Sequence, residues 1–165
     1  FATGFEVGTD YSRRADCEIV GRTGETLTQK WKDGVSTLHG LMTDGFPNLF
    51  LMGGLQSGVT PNFTELYNEQ SQHIAYIVSQ ALPRPQGRVE PTAESVAAWV
   101  QIVHDTAYGR SDFGESCTPG YYNNEGQPTI GPGWFGGSFG GGAPAFFKIL
   151  HDWRAKGDLE GMKQD

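Results

Sequence analysis

Apolar residues recur at helical spacing in three places along this sequence. Phe63, Leu66, Tyr67, Ile74, Ile77, Val78 and Ala81 share one face. Asn62, followed three residues later by Glu65, matches a capping box, so a helix is predicted from about Asn62 to Leu82, stopping before PRPQG. A second helix is predicted from near Thr92 in PTAESVAAWVQIVHDT, with Val96, Trp99, Val100 and Val103 on its apolar face. A third runs from about Pro144 to Gly157, with Phe146, Ile149, Leu150 and Trp153 as its stripe. The first third of the chain lacks this period and reads as short strands and turns. FATGFE resembles the end of a buried strand entering a glycine turn, CEIVGRTGETL a hairpin-like excursion, and Asn48 to Met52 of NLFLMGG a buried strand running into glycines. The expected fold class is α/β: short N-terminal strands, then about three helices and long Gly-rich loops.

One unit of this pattern carries chemistry. A strand ending in Gly53-Gly54, the loop LQSGVTP and a helix opening at Asn62 place unpaired helix N–H groups at a strand's carboxyl end. Such a terminus stabilises negative charge by typically 0.3 to 1 kcal/mol when exposed, and by up to about 2 kcal/mol when partly buried. The plainer alternative is a glycine-relieved turn with an ordinary cap.

Composition narrows the classes. A chain of 165 residues with 37% hydrophobic content suffices for one ordinary domain, and its apolar runs are too short for a transmembrane helix. Lys+Arg 12 against Asp+Glu 19, a net charge of -7, argues against a nucleic-acid surface and against an anionic membrane partner. Cys17 and Cys117 form neither a disulfide framework nor a metal motif, and two free thiols point to a cytoplasmic location. The 24 Gly and 9 Pro make up a fifth of the chain, against roughly 12% in ordinary domains. Much of the glycine lies around 53–58 and 126–142, as expected of a chain that wraps around something or lacks part of its support.

Several apparent motifs fail on context. Gly131, Gly133 and Gly136 in GPGWFG satisfy G-x-G-x-x-G, but Pro132, Trp134 and Phe135 occupy the turn, and no strand leads directly through it into a helix. GGSFG offers Ser138 as a nucleophile, yet His151 and Asp152 sit side by side on one predicted helix and cannot complete a triad. The Asn62-Phe63-Thr64 sequon is explained by the helix cap. His39, His73, His104 and His151 lack metal-ligand spacing, and His73 reads as a hydrogen-bonded packing residue; no catalytic or metal-binding side chain is assigned. Tyr121, Tyr122, Asn123 and Asn124 in ESCTPGYYNNEGQP could line a pocket or clamp a planar group, or simply pack their own loop.

FATGFEVGTDY, IVGRTGETLTQKWKDGVSTLHGLMTDGFPNLFLMGG, NEQSQHIAYIV, ESCTPGYYNNEGQP and FFKILHDWRAKGDLEG together resemble, in order, the C-terminal part of a Baeyer–Villiger monooxygenase. The resemblance covers nearly the whole chain and is nearest the branch acting on bulky and cyclic ketones. It implies a two-dinucleotide-binding-domain flavoprotein that uses FAD, NADPH and O2 to convert ketones to esters or lactones. Phe1 is then expected to be internal to a longer protein. Residues 1–58 would be the linker and strands returning from the NADPH domain to the FAD domain. Residues 59–165 would be the C-terminal helical part of the FAD domain, with a mobile loop at about 108–143.

Carried over by position, Ala2, Thr3 and Gly4 match the family's linker motif beside the cofactors, although Glu6 stands where many relatives have Asp. Phe46, Pro47 and Asn48 match the strand re-entering the FAD domain, and Gly54 its terminal glycine. Asn62 and Phe63 resemble the backbone site facing the flavin pyrimidine ring, and Asn123 the asparagine of the loop over nicotinamide and substrate. Leu55 to Pro61 departs from the family's glycine-proline-glycine-serine pattern. The upstream FAD and NADPH fingerprints are absent from these residues, as is the F-x-G-x-x-x-H-x-x-x-W signature, so the chain alone is expected to be inactive. Two other expectations stay open at this point: a stand-alone binding module for a planar ligand, and one subunit of a split monooxygenase.

Overall fold

The computed structural model describes residues 16–106 and 137–163. All three helices predicted from apolar spacing are present, joined by one that was not. A four-residue helix, α1 (Leu27–Lys30), is closed by a reciprocal cap in which the Thr26 side chain accepts from Gln29 N while the Gln29 side chain accepts from Thr26 N. Helix α2 is Phe63–Ala81, α3 is Ala93–Thr106 and α4 is Gly142–Lys156. The α2 cap is the expected one: Asn62 Oδ1 accepts from Glu65 N at 3.2 Å. Thr92 does the same for α3, its Oγ1 accepting from Ser95 N at 3.1 Å. Helix α4 starts two residues before the predicted Pro144 and ends, as predicted, before Gly157.

Each helix buries part of the stripe that predicted it, while Phe63, Tyr67 and Val78 of the α2 stripe are exposed. Leu66, Ile77 and Ala81 of α2, Val96, Trp99 and Val103 of α3, and Phe146, Leu150 and Trp153 of α4 form one core with Leu38, Leu41, Met42, Val89, Phe139, Leu159 and Met162 from the connecting segments. Phe146 and Leu150 are wholly enclosed, and burial of such a side chain stabilises by roughly 1.5–3 kcal/mol. Helices α2 and α4 pack directly on each other. Helix α3 joins them through Trp99, whose ring stacks on Phe139 at 5.7 Å and meets Phe146 at 6.0 Å.

The predicted strands do not form ladders among the described residues, where β pairing is limited to four isolated bridges. CEIVGRTGETL does fold back as a hairpin-like turn, with a Val20–Thr26 bridge flanked by Leu27 N donating to Ile19 O at 2.8 Å. NLFLMGG is different. Asn48 has φ of 60°, its N–H donates to Val89 O at 2.9 Å, and its Oδ1 accepts from Val89 N at 2.9 Å. Leu51 N then turns to a different partner, Leu41 O, at 2.8 Å. At φ of 60° Asn48 leaves the β region, and the isolated bonds to Val89 and Leu41 do not extend into a ladder, so the segment stays irregular.

Candidate functional site

The end of NLFLMGG is tied to α2 through Gln70, and the loop between them is held by buried amides. Gly53 has φ of 144°, a conformation that L residues avoid. Its N–H donates to Gln70 Oε1 at 3.0 Å and its carbonyl accepts from Gln70 Nε2 at 2.8 Å and from Ser57 Oγ at 3.2 Å. Gly54 O accepts from Ser57 N at 3.5 Å, closing the turn. Gln56, at φ of 47°, anchors the middle of the loop. Its Oε1 accepts from Thr37 Oγ1 at 2.5 Å, its Nε2 donates to Val35 O at 2.9 Å, and its carbonyl accepts from Trp99 Nε1 at 3.2 Å. Gln56 N donates to Gly137 O at 3.2 Å, and Phe139 N to Ser57 O at 3.0 Å. Gln56, Ser57 and Gln70 are all buried, where unpaired amides or hydroxyls would each cost about 1–3 kcal/mol. The LQSGVTP loop is therefore set by hydrogen bonds to the interior.

At α2 itself, Asn62 Oδ1 occupies Glu65 N, and Asn62 N donates to Thr60 Oγ1 at 3.0 Å. The first helical amides, those of Phe63 and Thr64, have no partner among the described residues, as the opening of a helix dictates. On the same helix Phe63 and Tyr67 are exposed, with Phe63 at 54% and its ring 6.3 Å from that of Tyr67, and Met52 and Val59 of the preceding segment are exposed too. Free N–H groups beside exposed aromatic surface suit a planar group with an electron-rich edge. Of the predicted site residues, Gly54 closes the glycine turn, Asn62 caps α2 and Phe63 opens it. Ala2, Thr3, Gly4 and Asn123 lie outside the described residues, as does Cys117; Cys17 is an exposed thiol. Among the described residues no group of His, Cys, Asp and Glu could hold a metal ion. No helix there is long and apolar enough to cross a membrane.

Behind the loop is a second polar feature. His39 and His73 are buried 5.5 Å apart, each against the Trp153 ring, and His39 also meets Trp99 edge-on at 5.0 Å. Arg154 Nη1 lies 3.4 Å from His73 Nδ1, fulfilling the expectation that His73 is a hydrogen-bonded packing residue. Burial pushes the His39 imidazole down to about 4, against a smaller upward pull from Glu160. Burial, reinforced by repulsion from His39 and Arg154, pushes His73 down to about 3. Sequence reasoning missed Gln56, Gln70 and His39. The available signal for Gln70 was a polar residue on the inner face of α2, one turn from both Leu66 and His73.

The chain is similar to known proteins over nearly its whole length. The chain is 42% identical over 165 residues to a pentalenolactone D synthase of Streptomyces exfoliatus, covering 99% of this chain and 28% of that protein. It is 38% identical over 165 residues to a Baeyer–Villiger monooxygenase of Stachybotrys chlorohalonatus, covering 100% of this chain and 26% of the other. In structure it matches the polycyclic ketone monooxygenase of the thermophilic fungus Thermothelomyces thermophila with a TM-score of 0.79 at 32% identity, over 93% of this chain and 25% of that one. Further matches of similar extent include proteins described as FAD-binding monooxygenases and a steroid monooxygenase structure bound to NADP. No protein-family profile matches the chain. It spans about a quarter of the length of the relatives it matches. The relatives themselves form one class, described as Baeyer–Villiger or FAD-binding monooxygenases. Within that class, the chain is a homologue of the C-terminal part of the Baeyer–Villiger monooxygenases.

Proposed function

We propose that this chain forms part of an FAD- and NADPH-dependent Baeyer–Villiger monooxygenase and supplies one wall of its flavin site. The observation that carries the reading is the start of α2, where the Phe63 and Thr64 amides stand without a partner among the described residues beside the exposed rings of Phe63 and Tyr67. When bound, reduced flavin supplies the electrons with which O2 and a ketone give an ester or lactone plus water, NADPH being oxidised to NADP+. The chain's own part is to present N–H groups to the pyrimidine edge of the ring and an apolar face that keeps water from it. Residues 1–58 then serve as the passage from an NADPH domain to an FAD domain, and 59–165 as the C-terminal helical part of the latter. Ala2, Thr3 and Gly4 lie beside the cofactors in this reading, and Asn123 belongs to a loop, at about 108–143, that covers nicotinamide and substrate. The whole protein works in the cytoplasm.

One flank of α2 favours partnership with the rest of such a protein over a stand-alone binding module. Phe63, Tyr67 and Val78 are exposed along the helix and Leu82 at its end is 76% exposed, so the helix has more apolar surface than this chain covers. The test compares this chain with the full-length protein, each supplied with FAD, NADPH, O2 and a cyclic ketone. Lactone formation by the full-length protein and none by the chain is the expected result. Turnover by the chain alone would overturn the assignment of the remaining machinery to other residues. Absence of NADPH-dependent oxygenation across linear, cyclic and polycyclic ketones in a full-length protein containing FAD would overturn the function itself.

A further inference from the structure

Gln70 is the residue that ties the glycine turn to the second turn of α2. It is wholly buried, and its planar amide meets the Gly53 backbone at two points, donating to the carbonyl at 2.8 Å and accepting from the N–H at 3.0 Å. This is the exchange of bonds by which one strand residue holds another across an antiparallel pair. The side chain thus stands where a neighbouring strand would stand. Ser57 adds a second donor to the same carbonyl, so Gly53 is held at φ of 144° from two sides. From Gly53 to Phe63 the chain runs through ten peptide bonds of loop, whereas through Gln70 the same two points are joined by one amide and two turns of a capped helix. The shorter and stiffer path governs the relative placement.

We infer that Gln70 is a positioning residue: it fixes the Gly53-Gly54 turn against the opening amides of α2 and so sets the polarity that a flavin there would meet. The part concerning flavin rests on the proposed function; the part concerning the turn does not. An apolar residue would suffice if this position only filled space. Instead the position carries an amide with both its donor and its acceptor used on the backbone of one residue, Gly53. Gln70→Met keeps approximate length and loses both bonds. Gln70→Glu can still accept from Gly53 N but places a carboxylate against Gly53 O.

The experiment uses the full-length protein as wild type, Gln70→Met and Gln70→Glu, with two readouts besides activity: the midpoint potential of bound FAD, and amide hydrogen exchange of peptides spanning 50–66. The expected result is faster exchange confined to the glycine turn and the first turn of α2. The ratio of affinities for reduced over oxidised FAD should fall about fivefold, which for a two-electron couple is about 20 mV more negative. A role in packing alone would lower thermal stability and leave the potential unmoved. Unchanged potential, or exchange that rises evenly across the protein, overturns the inference. If the wild-type protein binds no FAD, the functional reading fails, and the exchange pattern alone decides the role of Gln70. If the Gln70 variants do not fold, Ser57→Ala, which removes one of the two donors to Gly53 O, is read in the same way. A smaller change of the same sign supports the inference, and no change overturns it.

Discussion

Acidification from pH 7 to pH 5 should weaken this fold through two imidazoles in particular. His39 and His73 are buried between α2, α3 and α4 against Trp99 and Trp153, and the charged groups facing them are Arg154, Glu160 and, beyond Arg154, Glu69. His73 accepts from Arg154 through Nδ1 in its neutral form, so its protonation would set two cations 3.4 Å apart. Folded-state values of about 4 and about 3, against an ordinary 6.5, mean that the unfolded chain takes up protons first. Stability from these groups is complete above about pH 6.5 and is lost as the pH falls toward their folded values. At pH 5 the unfolded state has bound nearly one proton at each site and the folded state almost none. The loss on going from pH 7 to pH 5 is then about 2 kcal/mol per histidine, or about 4 kcal/mol for the pair.

Carboxylates contribute to the same acid limb, so the diagnostic quantity is a difference between variants. His73→Gln retains an acceptor for Arg154 and does not titrate. Urea unfolding followed by tryptophan fluorescence at pH 7 and pH 5 should show a fall in stability about 2 kcal/mol smaller for His73→Gln than for wild type. The imidazole C–H resonances of wild type supply the direct check, since neither His39 nor His73 should titrate between pH 8 and pH 5.5. Titration of either ring in that window, or an undiminished pH dependence in His73→Gln, would refute the reasoning.

Two further perturbations follow from single contacts. Glu90 is 1% exposed; burial opposes its ionisation, but Lys163 and the Gly45 N–H at 2.8 Å outweigh that and hold its carboxyl below the usual range. Lys163→Met should therefore destabilise by about 3 kcal/mol, measured by thermal unfolding at pH 7, and adding Glu90→Gln should restore much of the loss. Gly40→Ala should cost about 2–4 kcal/mol, because Gly40 sits at φ of 72° and an added Cβ would lie 2.2 Å from Leu55 O, displacing the loop ahead of α2. An unchanged melting temperature for that variant would show that the segments are not in contact.

What the sequence discloses here follows the reach of the interaction involved. Helices α2, α3 and α4 are legible because their bonds are local and their buried residues repeat every 3.6 positions, with Asn62 and Thr92 marking two of the starts. A continuous apolar run entering glycines misled at Asn48 to Met52. Its partners, Leu41 and Val89, lie on opposite sides of it in sequence, and nothing local says that they do not form a ladder. The Gly53-Gly54 turn and the Asn62 cap could be read because a strand-to-helix connection needs glycine at one end and a cap at the other. Gln56 and Gln70 could not, since an amide's value lies in the backbone groups it meets, 17 to 21 positions away in the cases of Gly53 and Val35.

The arrangement also shows how buried side chains can fix the LQSGVTP loop ahead of α2. Backbone stiffness from proline is one way to fix such a turn. Here Gln56 binds the loop to Val35, Thr37 and Trp99, while Ser57 and Gln70 hold Gly53, so side chains at buried positions constrain the turn. A rigid loop and a bonded loop present the same helix end, but they respond differently to change. The bonded loop is sensitive to substitutions in α3, through the Trp99 indole, and in α2, through Gln70. The polarity offered at Phe63 and Thr64 is thereby linked to the packing of the core that also shelters His39 and His73.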